Sequence, residues 1–351
     1  MENPKSILIV KLSAIGDVVM ATHTAELIRT TYPNAYVAWL VEDKCADAVV
    51  GNPFLDEVFV WRRLRCWADV GATVDLVRKL RARNFQFAID LHGIARSSIL
   101  ARLSGARKRI GFAKGPELSS ALYNIRVDCS KKRPAMDRHL ALMEVIGINP
   151  SIAPLRPYFP LSDQDICDAR RLLESVEINS EIEIAAFAPA TTRDYKHWME
   201  NNWTELANEL SSRFGLTPVF LGAPENVALI ERIRTNTSVR TESFAGLTTL
   251  RLAAAVMKIA RLTVTVDNGL MHTSVAIGTP TVAVFGPTSQ WRNHSQRAHF
   301  MAVRKEFDCA PCSGKTVCDQ FDCMRSVGVE DVVDAVARML HTSGPVSSNQ
   351  A

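Results

Sequence analysis

Apolar residues in this chain fall into short continuous runs separated by stretches of helical periodicity. Ile7-Leu8-Ile9-Val10 has the length and β-branched content of a buried parallel strand. A polar turn from Lys11 to Asp17 follows, with Gly16 expected to ease its backbone. From Val18 to Thr30 the apolar positions Val18, Val19, Ala21, Ala25, Leu27 and Ile28 take helical spacing. Tyr36 to Val41 and Glu57 to Trp61 read as strands, Val70 to Asn84 as a helix, and Phe87 to Leu91 as a strand running into His92-Gly93. Helices are expected over Ile94 to Leu103 and Pro134 to Ile146, the second stopped by Gly147.

The alternation then begins again. Ser162-Asp163 cap a helix through Val176. Strands are expected over Ile182 to Ala188, Thr217 to Leu221, Leu262 to Val266 and Thr281 to Phe285. Between them lie helices over Trp198 to Phe214, Pro224 to Thr235, Thr248 to Ala260 and Met271 to Ile277. Strands alternating with helices imply the α/β class, with parallel sheets and crossover helices. Asn149 to Pro160 holds four prolines in twelve residues and resists both helix and sheet. It reads as a linker between domains 1–160 and 161–342, with 343–351 a disordered tail, and a cleft between two such domains is a usual ligand site.

Composition narrows the classes. Hydrophobic residues make up 47% and charged residues 22%, the balance of an ordinary globular protein. The net charge of +4, from 41 basic and 37 acidic residues, is too mild for a nucleic-acid binder and includes no polybasic run. Arginines do gather in the first half, as at Arg62, Arg63 and Arg65, which suits an anionic partner, a membrane surface or a solvated face. No secretory leader or membrane-spanning run stands out, so the cytoplasm is the expected compartment. Of eight cysteines, Cys45, Cys66, Cys129 and Cys167 are scattered and read as buried apolar residues.

Four loops at expected strand ends hold unusual polar residues. The first contains Lys11, Ser13, Gly16 and Asp17; Asp17 reads locally as a helix cap, with a general base as the functional alternative. The second, Ala188 to Trp198, brings Thr191, Thr192, Arg193 and Lys196 together before a helix, a combination suited to phosphate. In the third, Glu225 either holds ribose hydroxyls or complements a helix dipole. The fourth runs Asp267-Asn268-Gly269-Leu270-Met271-His272, where first-turn N–H groups and His272 suit a diphosphate. GxGxxG, GxxxxGK[ST] and GxSxG are all absent, which argues against dinucleotide oxidoreductases, P-loop enzymes and α/β-hydrolases. No carboxylate-x-carboxylate triplet stands at a strand end to hold a divalent ion.

Taken together, ILIVKLSAIGDVVMA, ATTRDYKHW and VDNGLMHTSVAIGTPTVAVFGPT resemble the family 9 glycosyltransferases, the heptosyltransferases of lipopolysaccharide synthesis. The resemblance implies a GT-B architecture of two facing Rossmann-like domains, acceptor-binding in the first and nucleotide-sugar-binding in the second. It implies an inverting transfer of heptose from ADP-heptose to the lipopolysaccharide inner core, needing no cofactor, at the inner face of the inner membrane. Asp17 then becomes the general base. Thr191, Thr192, Lys196, Glu225, Asp267, Gly269, Leu270 and His272 become donor-binding residues, and Ser13, Arg96 and Lys114 acceptor-binding ones. The acceptor would be a lipid A-linked keto-sugar or heptose. Around Gly111-Phe112-Ala113-Lys114 the sequence lacks the Arg-Glu-Pro of its relatives, which leaves the acceptor open between them. A family relative using another nucleotide-linked sugar such as a hexosamine, a GT-B epimerase, and a non-catalytic nucleotide-binding protein are the competing readings. Cys309, Cys312, Cys318 and Cys323 have the ligand count of a structural zinc site, with free thiols as the alternative.

Overall fold

The computed structural model describes residues 3–63, 68–130, 133–149, 156–289, 299–312, 314, 318 and 321–343. The chain divides into two compact units, residues 1–160 and 161–351.

In the first unit the order is β1 (Ser6–Val10), α1 (Ile15–Ala21), α2 (His23–Thr31), β2 (Tyr36–Glu42), β3 (Glu57–Trp61), α3 (Ala68–Ala82), β4 (Phe87–Asp90), α4 (Ala95–Leu103), β5 (Lys108–Phe112), β6 (Ile125–Val127) and α5 (Ala135–Met143). Its six strands are parallel, in the order β3-β2-β1-β4-β5-β6. Ile7, Leu8, Ile9 and Val10 are wholly buried, which is why β1 reads as a continuous apolar run rather than an alternating one.

The single helix expected over Val18 to Thr30 is two. Thr22 Oγ1, His23 Nδ1 and Thr24 Oγ1 bond the carbonyls of Val19, Met20 and Ala21 at 2.7, 2.7 and 2.8 Å. Side chains thus satisfy the last carbonyls of α1, and a second helix starts at His23. Gly16 lies inside α1, so the turn gains nothing from left-handed freedom there.

The second unit runs α6 (Asp163–Glu174), β7 (Ile184–Ala188), α7 (Glu200–Phe214), β8 (Thr217–Phe220), α8 (Val227–Thr235), β9 (Glu242–Ser243), α9 (Leu250–Ile259), β10 (Leu262–Val266), α10 (Gly269–Ala276), β11 (Thr281–Val284), β12 (Phe300–Val303), α11 (Asp322–Arg325) and α12 (Val329–Ser343). Its sheet order is β12-β11-β10-β7-β8-β9, again all parallel. The core joins Phe187, Trp198, Trp203 and Leu210 to Val332, Val336 and Met339 of α12. Burying one such side chain stabilises by roughly 1.5–3 kcal/mol.

Numbered within each unit, both sheets read 3-2-1-4-5-6. That is the doubly wound nucleotide-binding order, so the two units are Rossmann-like, as expected. The order reverses between β1 and β4 in one sheet and between β7 and β10 in the other. In open α/β sheets, ligands bind beyond the carboxyl ends of the strands at that reversal. Strands β5, β6, β9 and β12 and helices α11 and α12 add to the expected elements. Linker residues 150–155 and tail residues 344–351 lie outside the described residues, and Ser343 closes α12. Among the described residues no helix is long and apolar enough to cross a membrane.

Candidate active site

In the first unit the reversal point gathers the loops after β1 and β4. Asp17 stands in the first turn of α1, where a carboxylate complements the helix dipole. Ala14, not Asp17, occupies the N-cap, so the local capping reading fails. The Asp17 side chain is 61% exposed and lies 3.9 Å from the ammonium of Lys11, whose own side chain is 8% exposed. Ser13 is buried beside them in sequence. The Lys11 carbonyl is fixed from below by Trp39 Nε1 at 3.2 Å.

Asp90 closes β4 and is fully buried. It accepts the backbone N–H groups of His92 and Gly93 at 2.9 and 3.0 Å and the hydroxyl of Tyr123 at 2.7 Å. Burial pushes its carboxyl up, and these donors pull it back. Gly93 takes φ +73°, and a Cβ there would stand 3.0 Å from the Phe112 ring. The turn is therefore held in one shape. His92, pushed down to about 3 by burial and then by Lys11 and Arg96, is a neutral imidazole. Arg96 follows in the first turn of α4 and is half-buried, with Nη1 unpaired. Lys114 is brought to the surface instead, 78% exposed and 3.3 Å from Asp128. Sequence reasoning singled out Asp17, Ser13 and Arg96 but passed over Asp90, His92 and Tyr123. A carboxylate ending an apolar strand before His-Gly was the available signal.

In the second unit the loops after β7 and β10 meet. The Lys196 ammonium donates to Asp267 Oδ2 at 2.7 Å, and Asp267 Oδ1 lies 3.9 Å from His272 Nε2. The side chains of Lys196, His272 and Asp267 are 20%, 10% and 7% exposed. Asn268, the N-cap of α10, accepts the Met271 N–H at 2.8 Å. It also donates to the carbonyls of Ala188 and Ala190 at 3.0 and 2.9 Å. Asn268 thereby latches the Lys196 loop to the start of the helix that presents His272, a role the sequence reading did not assign. Gly269 and Leu270 form the first turn of α10. Thr191 is half-buried and Thr192 exposed on the same loop as Lys196. Trp198 anchors the far end of that loop, donating Nε1–H to the Val327 carbonyl at 2.8 Å.

Thr288, in the loop after β11, has a buried hydroxyl without a partner. Glu225 sits in the short turn before α8, exposed, and no hydrogen bond or ion pair joins it to Lys196, Asp267 or His272. Cys309 is exposed, Cys312 and Cys318 are half-buried, and Cys323 is buried. Among the described residues no group of three or more His, Cys, Asp or Glu side chains is placed to hold a metal ion. Cys323 packs against the loop after β11, since a Cβ at Gly286 would lie 3.0 Å from its sulfur.

This chemistry has counterparts. The model of glycosyltransferase family 9 (heptosyltransferase) matches residues 73–320. Lipopolysaccharide heptosyltransferase 1 of Escherichia coli strain K12 is 28% identical over 297 residues, covering 80% of this chain and 88% of that one. A family 9 glycosyltransferase structure from Veillonella parvula superposes with a TM-score of 0.86 at 21% identity, covering 97% of this chain and 99% of the other. The structure of Escherichia coli heptosyltransferase WaaC with ADP-2-deoxy-2-fluoro heptose gives a TM-score of 0.73 at 22% identity, covering 95% and 99%. The fold is thus the one these transferases share, and the chain belongs to glycosyltransferase family 9, the heptosyltransferases.

Proposed function

We propose that the protein moves heptose from ADP-heptose to an acceptor sugar of the lipopolysaccharide inner core, with inversion and without a catalytic metal. The observation that carries this reading is the Lys196–Asp267–His272 cluster at the reversal point of the second Rossmann-like sheet. Relatives named as lipopolysaccharide heptosyltransferases, and the WaaC structure with an ADP-heptose analogue, support the donor and the acceptor class.

Residues 161–342 hold the donor in this account, and residues 1–160 the acceptor. Asp267 aims the Lys196 ammonium, and Lys196, His272 and the first N–H groups of α10 meet the diphosphate, with Thr191, Thr192, Gly269 and Leu270 lining it and Glu225 toward the ribose. Asp17 takes the proton of the acceptor hydroxyl as its oxygen attacks the anomeric carbon. The bond from that carbon to the phosphate oxygen breaks, and ADP leaves with the electron pair. Charge growing on the leaving diphosphate is met by Lys196 and the helix N-terminus, the task a divalent ion performs in other transferases. Chelator should therefore leave the rate unchanged. The acceptor lies on Asp17, Ser13 and Arg96, with Lys114 at its outer edge, and a lipid-linked acceptor calls for action at a membrane surface.

Replacing Asp17 by Asn tests the assignment. Loss of a general base lowers kcat by roughly 100- to 10,000-fold, with calorimetric ADP affinity unchanged. An equal loss of ADP affinity would make Asp17 structural instead.

A further inference from the structure

Exposed apolar side chains are unevenly placed in this chain. Among the described residues the large ones are Val50, Val60, Val70, Val74, Ile99 and Leu118 in the first unit, against Val227 and Leu247 in the second. Four of those in the first unit share one face. Leu76 and Leu80 of α3 and Leu100 and Ala101 of α4 enter a single core cluster, so the two helices cover the same side of the first sheet. Their outer sides carry Val70, Val74 and Ile99, which are 41%, 43% and 47% exposed. Arg81 ties the helices at one end, donating Nε–H to the Leu103 carbonyl at 3.0 Å. Near the other end stands Leu118, 84% exposed, just before a short 3-10 turn, Ser119–Leu122, that packs on α4.

The same face is basic. Val70, Val74, Arg78 and Arg81 form one stripe along α3, two valines followed by two arginines. Ile99 and Arg102 repeat that pairing one turn apart on α4. Together the two helices hold Arg78, Lys79, Arg81, Arg96 and Arg102 against Asp69 and Asp75. Single exposed apolar residues are ordinary on a protein surface. Lined up with arginines, they have the pattern of helices that lie on a membrane, apolar tips for the acyl boundary and cations for anionic headgroups. Leu118 adds a second sign. Glu117 and Leu118 both take φ +55°, the left-handed region that bulky side chains disfavour. Fixed contacts hold them there: the Ser119 hydroxyl donates to the Gly93 carbonyl at 3.1 Å, and a Cβ at Gly115 would collide with Ser119 Oγ. Backbone strain thereby holds out a leucine that packs against little of its own chain.

We propose that α3, α4 and the Leu118 loop dock the first unit on an anionic lipid bilayer. Val70, Val74, Ile99 and Leu118 enter the acyl boundary, and Arg78, Arg81 and Arg102 meet the headgroups. The docking face rests on the reading of a lipid-linked acceptor and names the surface that meets its membrane. Because Ser119 joins the loop to the His92–Gly93 turn, docking holds that turn at the lipid surface.

Flotation of the full chain with vesicles tests the face, using phosphatidylethanolamine–phosphatidylglycerol vesicles beside phosphatidylcholine vesicles, with no sugar nucleotide present. The wild type should bind the first and not the second, and more weakly as salt rises. Leu118→Ser should lose about 10-fold in affinity, the scale of burying one leucine. Arg78→Gln combined with Arg102→Gln should lose about 25-fold, roughly 5-fold for each cation. Leu247→Ser in the second unit should lose nothing. Unfolding temperatures should stay at the wild-type value throughout, since every substituted position is exposed. No vesicle binding, equal binding to both vesicles, or unchanged binding in the first-unit variants would overturn the proposal. A dimer that Ile99→Asp dissociates, without vesicle binding, would overturn it too and make the face an interface between copies. Heptosyl transfer to a soluble sugar acceptor is assayed separately: its absence contradicts the proposed activity, whereas the vesicle series alone decides the docking face.

Discussion

Replacing Asn268 by Ala removes one side chain that joins two loops of the second unit. Asn268 accepts from Met271 N–H and Thr265 Oγ1–H at 2.8 and 3.2 Å and donates to the carbonyls of Ala188 and Ala190. Loss of the N-cap costs about 1 kcal/mol. With Asn268 Oδ1 gone, the single Thr265 hydroxyl proton can turn to the Ala188 carbonyl 3.1 Å away, so the loss there is small. The Ala190 carbonyl, on a residue 9% exposed, loses its Asn268 donor and adds about 1–3 kcal/mol. The total is about 2–4 kcal/mol, a fall in Tm on the order of 10 °C for a unit of this size. Asn268→Asp separates the two tasks, because it keeps the cap oxygen and loses both donors to the Lys196 loop. Differential scanning calorimetry and ADP titration of both variants give the readout. Asn268→Asp should recover the cap's share of stability but not the ADP affinity. A cost below about 0.5 kcal/mol for Asn268→Ala, within the range of ordinary surface changes, or full ADP affinity in both variants, would refute the latch.

Lys196→Ala leaves Asp267 buried without its ammonium, so both ADP affinity and kcat should fall; retained ADP affinity by calorimetry would remove Lys196 from the donor site. Acid should loosen the first unit. His139 is held well below its ordinary range by burial and by His23, stacked 5.6 Å away, and His92 is pushed down to about 3. Both are neutral in the fold and protonate near pH 6.5 when unfolded, so the unfolded state binds more protons below that point. Stability is full above pH 6.5 and falls as pH drops, by up to about 1.4 kcal/mol per pH unit for each histidine. Urea midpoints at pH 7.5 and 5.5 should show the fall, and His139→Leu should flatten it; an unchanged slope would acquit the histidine pair.

The parallel-sheet architecture was legible because buried parallel strands are continuous apolar runs, as at Ile7–Val10 and Leu262–Val266. β5, β6 and β9 lack that signature, whereas β12 (Phe300-Met301-Ala302-Val303) is an apolar run that is only half-buried, at a sheet edge. Lys108-Arg109-Ile110-Gly111-Phe112 reads as a basic cluster, yet Arg109 turns its guanidinium to the carbonyls of Leu122 and Ala106. β6 and β9 have only three and two residues and sit at sheet edges, where pairing rather than burial defines them. At the site, residue types pointed to Lys196, Asp267 and His272, but the partner of each was a matter of tertiary contact. Asp267 pairs with Lys196 across 71 positions and Tyr123 with Asp90 across 33. The bridging role of Asn268 follows from hydrogen bonds to the carbonyls of Ala188 and Ala190 that no local pattern encodes.

Recognition of an ADP-linked sugar by the second unit is open to direct measurement. Thermal shifts with ADP-, UDP-, GDP- and CDP-linked sugars at equal concentration measure this directly, since a ligand that binds the folded state raises Tm with its affinity. ADP-heptose should give the largest shift, and that shift should collapse in Lys196→Ala. A larger shift with a UDP-sugar in the wild-type protein would contradict ADP recognition.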